Sequence, residues 1–194
     1  MEFETYVDQV REQARALRAA AVKAGPDTDV PTTPGWTVLR LVQHVAGVHG
    51  FVVVAMDTDP AAVDTPPAQQ PPEAWDAVIG YWDDQVDALV TGLRERGAAG
   101  PAWTFDGTGT AGSLVRRLAH ETAIHRLDAE HAVFGDTVAQ MLFDPVFAAD
   151  GVDEALTVLM PERPAGASGT VLFHATDVDR AWLVEATEGQ PPTA

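Results

Sequence analysis

The chain has 194 residues, with 12 Lys+Arg against 29 Asp+Glu for a formal charge of −17, and it contains no cysteine. Zero cysteine excludes disulfides, Cys-ligated zinc, iron–sulfur clusters and a cysteine nucleophile. The acidic balance argues against a nucleic-acid or anionic-membrane binder, since both need clustered Lys and Arg, and the length allows one domain with a real core, alone or with a short appendage.

The amino terminus, MEFETYVDQVREQ, lacks the basic-then-apolar layout of a signal peptide. The longest fully apolar run, Phe51 to Met56, is short against the ~18 residues of a bilayer span. A soluble cytoplasmic protein is therefore expected. From about Phe3 to Ala24, apolar or small residues at Tyr6, Val10, Ala14, Leu17 and Ala21 mark one helix face, and Gly25-Pro26 stops that helix. Val30 to Gly35 is a turn-rich loop, and Trp36 follows as an anchor over the next helix, with Thr37 near its first turn. This second helix reaches about Met56 and buries Leu41, Val45, Val48, Phe51 and Val52.

Asp57 to Glu73 holds Pro60, Pro66, Pro67, Pro71 and Pro72, so it cannot be a helix interior and reads as a long exposed connection. A third helix, about Glu73 to Arg96, places Trp75, Val78, Ile79, Trp82, Val86, Leu89, Val90 and Leu93 at three- and four-residue spacing. Gly97 to Gly112 is a Gly-rich loop containing Trp103 and Phe105, and a fourth helix covers about Ser113 to Phe134. Four amphipathic helices with one long crossover predict a four-helix bundle over residues 1–143.

Residues 144–194 read as a short α+β extension. Asp144 to Met160 predicts one helix ended by Pro161, and Gly169 to Thr176 with Arg180 to Ala186 predicts a β-hairpin around Asp177-Val178-Asp179. A lone hairpin is marginal in water, so it is expected to pack on the bundle or to begin a unit that the chain does not complete. The fold class is thus mainly α.

On a helical wheel of the fourth helix, Leu114, Leu118, Glu121, His125 and Asp128 share roughly an 80° arc. Three ionisable residues thus continue a stripe begun by two leucines, and a buried charge must be paired, neutralised or bound to a metal. His44 lies on the apolar stripe of the second helix. His44, Glu121 and His125 together make a three-ligand nitrogen/oxygen set of the kind catalytic zinc sites use. Zn²⁺ suits it best, while Ni²⁺, Co²⁺ or Fe²⁺ accept the same ligands. Asp128 is a candidate to orient the His125 ring, and Arg117 to pair with Glu121 or to meet an anionic substrate. The competing reading makes Arg117, Glu121, His125 and Asp128 a charge-laced helix face. His120 is expected on the surface, His49, His131 and His174 in structural roles, and the tryptophans and Phe105 in the core.

Two segments carry a resemblance: Trp36-Thr37-Val38-x-x-Leu41-Val42-x-His44, and the long run from Arg116 to Glu130, RRLAHETAIHRLDAE. Together they resemble the mycothiol-dependent maleylpyruvate isomerase family, within the DinB/YfiT-like four-helix superfamily. Ala148 to Glu154 and Phe173 to Asp177 are similar to the linker helix and first hairpin of that family's carboxy-terminal domain, which usually continues for several tens of residues further. The resemblance implies a DinB-like bundle, a zinc triad on His44, Glu121 and His125, and mycothiol as thiol cosubstrate. It further implies an isomerase or S-transferase acting on a small electrophile, as a monomer or homodimer. A zinc hydrolase on the same site and a non-catalytic metal- or small-molecule-binding protein are the alternatives.

Overall fold

Residues 1–104, 107, 109–138 and 143–194 are described by a computed structural model, and Phe105 lies outside them. Gly25 and Gly97 end two of the long helices with positive φ of 86° and 68°, each backbone N–H returning to a carbonyl four residues earlier. A side chain would be strained in that conformation, which is why glycine stands at both ends. The helices so bounded are α1 (Phe3–Ala24), α2 (Val38–Met56), α3 (Trp75–Arg96) and α4 (Ala111–Phe134). Thr37 and Thr110 cap α2 and α4, each accepting a hydrogen bond from the backbone three residues on.

The chain divides into two compact units, the first spanning Glu2–Val138 and holding α1 to α4. In it α1 packs along α4 and α2 along α3. Leu17, Leu41, Val45, Val78 and Trp82 form the middle of its core. By length and composition alone α2 is apolar enough to cross a membrane, but Leu41, Val42, Val45, Ala46, Val52 and Ala55 are spent on the interior of this unit.

The proline-rich connection between α2 and α3 lies against α2. Gln43 Nε2 donates to the Pro72 carbonyl at 3.2 Å, and Trp103 Nε1 donates to the Ala62 carbonyl at 3.1 Å. Gly50 permits the approach: a Cβ there would stand 2.5 Å from the Tyr81 hydroxyl and 3.1 Å from Gln69 Cγ.

The second unit, within Ala139–Ala194, contains α5 (Pro145–Glu154) and strands β1 (Gly169–Ala175) and β2 (Arg180–Ala186). Asp144 caps α5 by accepting from the backbone of Val146 and Phe147 at 3.0 and 3.1 Å. The single helix expected to Met160 leaves α geometry at Glu154, widens into a π turn over Ala155–Leu159 and tightens into a 3₁₀ turn, Met160–Glu162, that contains Pro161. β1 and β2 pair antiparallel with Leu172 opposite Leu183. Trp182 and Val184 bury against Ala149 and Leu156, and Asp153 accepts from Arg180 Nη2 and Trp182 Nε1. The hairpin therefore gains its apolar support from α5 and the π turn that follows it.

Candidate metal centre

His44 is on α2, and Glu121, His125 and Asp128 are on α4. Spacing of four and three along α4 stacks the last three side chains on one stripe. The structure brings His44 to that stripe: one ligand atom from each of His44, Glu121 and His125 lies within 4.8 Å of the other two. His44 Nε2 and His125 Nε2 each donate to Glu121 Oε1 at 3.2 Å. Bond lengths of about 2.0–2.1 Å to zinc set tetrahedral edges of about 3.3 Å, so both contacts have the separation of two atoms sharing one small cation.

The remaining polar atoms complete the arrangement. Asp128 Oδ2 accepts from His125 Nδ1 at 2.8 Å, which fixes the ring and leaves Nε2 directed at Glu121. The Thr32 hydroxyl donates to Asp128 Oδ1 at 2.6 Å, and Arg117 Nη2 donates to Glu121 Oε2 at 2.7 Å. Burial opposes ionisation of Glu121, but hydrogen bonds from His125, His44 and Arg117 outweigh it and hold the carboxyl well below its usual range. Burial likewise opposes charge on His125, yet the hydrogen bonds to Asp128 and Glu121 prevail and raise it to about 9. A proton on Nε2 thus stands where these residues favour positive charge, and a divalent cation held there would compete for the same nitrogen.

Arg117, Glu121, His125 and Asp128 do form a connected ladder, as the charge-laced alternative expects. Its composition differs from a surface ladder, because the Asp128 and His125 side chains are 11% and 13% exposed and the ladder recruits a histidine from another helix.

Sequence reasoning missed three contributors. Trp36, expected as an anchor, places its ring 5.2 Å from the His44 ring and 6.4 Å from that of His125. Its position in the same short segment as His44 was the available signal. Thr32 and Gln43 had none, since ordinary turn and helix chemistry explains both. His120, expected on the surface, is buried, with its ring 6.1 Å from Tyr6 of α1. The wheel located one buried face of α4, whereas α1 covers a second.

His49 is wholly buried and accepts at Nδ1 from Trp82 Nε1 at 3.0 Å, so its Nε2 donates to the Thr122 hydroxyl at 2.9 Å. Thr122 passes its own proton to the Leu118 carbonyl at 2.7 Å. In this Trp82–His49–Thr122–Leu118 relay each side-chain polar atom has a partner with His49 neutral, and burial pushes its pKa down to about 3. His131 accordingly has a structural partner too, the Gly135 carbonyl at the end of α4.

Beside the cluster opens a cavity of about 520 Å³, lined by Val48, Phe51, Val52, Leu114 and Leu118 and, at one end, by His44, Arg117 and Glu121. A second cavity of about 320 Å³ meets His44 from the side of Trp36, Arg40, Gln70 and Glu73. The Asp128→Asn variant is expected to lower divalent-metal affinity about 10–100-fold, because the amide holds the His125 ring less basic. Titration with a fluorescent zinc indicator checks it.

No curated protein sequence matches the chain. Two solved structures resemble it, each covering 98% of this chain and 82% of its own. One is a crystal structure of the mycothiol-dependent maleylpyruvate isomerase, at TM-score 0.70 and 18% identity. The other is a histidine-to-alanine mutant of that enzyme, at TM-score 0.71 and 17% identity. At such identity they share the fold. Residues 7–130 match the family model described as the mycothiol maleylpyruvate isomerase N-terminal domain, and the chain belongs to that family.

Proposed function

We propose that the protein is a zinc-dependent, mycothiol-using isomerase or S-transferase acting on a small electrophile, with His44, Glu121 and His125 as the metal ligands. The observation that carries this reading is the convergence of two imidazoles on one carboxylate oxygen at the end of a cavity, in a chain of this family with no cysteine of its own. A zinc ion held there would supply the positive charge that favours the ionised form of a bound thiol.

The protein's own residues do the rest. Asp128 fixes the His125 tautomer through Nδ1, and Thr32 fixes Asp128. Arg117 orients Glu121 by its second carboxylate oxygen and brings a cation to the mouth of the cavity. The apolar walls exclude water from the thiol and its target carbon. For isomerisation, the thiol sulfur adds to one carbon of an activated cis double bond and a proton joins the other. The resulting single bond rotates, and loss of the same thiol and proton gives the trans product. For transfer, the new carbon–sulfur bond is kept: on an alkene the adduct is the product, and on an aryl halide the carbon–halogen bond breaks, with the halide and the thiol proton released to solvent.

The intended workplace is the cytoplasm, where a low-molecular-weight thiol remains reduced. The test is turnover of activated alkenes and aryl halides by the zinc-loaded protein with and without mycothiol. Thiol-dependent product formation is expected. Equal turnover without thiol would favour a hydrolase instead.

A further inference from the structure

The two cavities that meet at His44 differ in chemistry. The larger is walled by Val48, Phe51, Val52, Leu114 and Leu118. Among the described residues lining it, Arg117 supplies the one positive side chain, and its Nη2 is already 2.7 Å from Glu121 Oε2. The smaller is lined by Arg40, Gln70 and Glu73 beside Trp36, with Gln43 shared between the two. The larger volume suits a small organic molecule, and a second anionic group buried there would meet only the Gln43 and Gln69 amides and no second cation. A thiol carried on a hydroxyl-rich body, by contrast, finds hydrogen-bonding groups on the smaller side.

We infer that the two cavities divide the substrates: the polar one takes the body of the thiol, and the apolar one selects an electrophile with an aryl or alkyl body and at most one negative charge, in preference to a short dianion. The inference rests on the thiol-enzyme reading above. Phe51 and Val48 on α2 and Leu114 and Leu118 on α4 set this selectivity, and Ala68 and Pro71 of the proline-rich connection line the same cavity.

Calorimetric titration of the metal-free and zinc-loaded protein with 2-naphthol, an uncharged aryl probe, and with maleate, a short dianion, tests the inference directly. In metal-free protein 2-naphthol is expected to bind at least tenfold more tightly than maleate. Val48→Trp, which fills the cavity, is expected to weaken 2-naphthol at least tenfold, while Val22→Trp, on an exposed face of α1, leaves it within twofold. Maleate binding as tightly as 2-naphthol in metal-free protein overturns the inference, as does a folded Val48→Trp variant that retains wild-type affinity. Should Val48→Trp fail to fold, the ranking of the two probes on the wild-type chain decides alone. If the aryl preference holds but neither 1-chloro-2,4-dinitrobenzene nor an activated alkene is consumed with mycothiol, the apolar-cavity assignment stands, while the thiol-enzyme reading and the thiol assignment of the polar cavity fail together.

Discussion

His44→Ala is expected to reduce zinc affinity by more than about 100-fold while leaving the helical circular dichroism of the protein unchanged. Weakening an outer partner of a metal-bound histidine costs about 10–100-fold, and deleting one of three ligands removes a bond that the outer partner only tunes. The fold has little to lose, because the His44 side chain is 36% exposed and α2 is held by Leu41, Val45 and Ala46. Elemental analysis after dialysis reads the outcome: about one zinc per wild-type chain and close to none in the variant. Stoichiometric metal in a folded His44→Ala protein would remove this residue from the ligand set.

Trp82→Ala is expected to destabilise the first unit by about 3–5 kcal/mol, the range for deleting a large buried aromatic side chain. Trp82 is 1% exposed, and its Nε1 is the donor that satisfies His49 Nδ1. Truncation therefore opens a cavity and also orphans a buried acceptor, which places the effect at the upper end of that range. The same histidine makes the protein acid-sensitive. Burial holds His49 neutral in the folded chain down to about pH 3, whereas in the unfolded chain it takes up a proton at about 6.5. Its neutral form costs nothing above pH 6.5. Below that, stability falls by about 1.4 kcal/mol per pH unit until about pH 3, where the folded form protonates as well. Urea unfolding followed between pH 7 and 4.5 should show this loss. His49→Gln would flatten the slope while lowering the stability at pH 7.

Much of the bundle was legible because its signals are local and strong. The periodicity of Trp75 to Leu93 and the Gly-Pro stop after Ala24 need only one helix to be read, and α1 and α3 lie over the predicted stretches. The grouping of His44 with Glu121 and His125 was also accessible, since each lies on an otherwise apolar stripe where a charge requires a partner. What escaped was set by packing between helices. His120 is buried because α1 covers a second face of α4, and His49 finds Trp82 and Thr122 only through tertiary contacts. Trp36 stands beside two imidazoles because the loop before α2 folds back toward α4, as the Thr32 to Asp128 hydrogen bond records. In the second unit the α-helix expected to run to Pro161 already ends at Glu154 and widens at Ala155, where no breaker residue announces the change, and Pro161 sits inside the 3₁₀ turn that follows.

A zinc- and mycothiol-dependent enzyme must pair a bound metal with a diffusible thiol at this site. The most direct measurement is product formation from 1-chloro-2,4-dinitrobenzene and from an activated cis alkene by zinc-loaded, metal-stripped and His44→Ala protein, each with and without mycothiol. Turnover is expected only in the zinc-loaded protein supplied with thiol, with a fall to background when the metal, His44 or the thiol is withdrawn. Full turnover by metal-stripped protein, or by zinc-loaded protein without thiol, would contradict it.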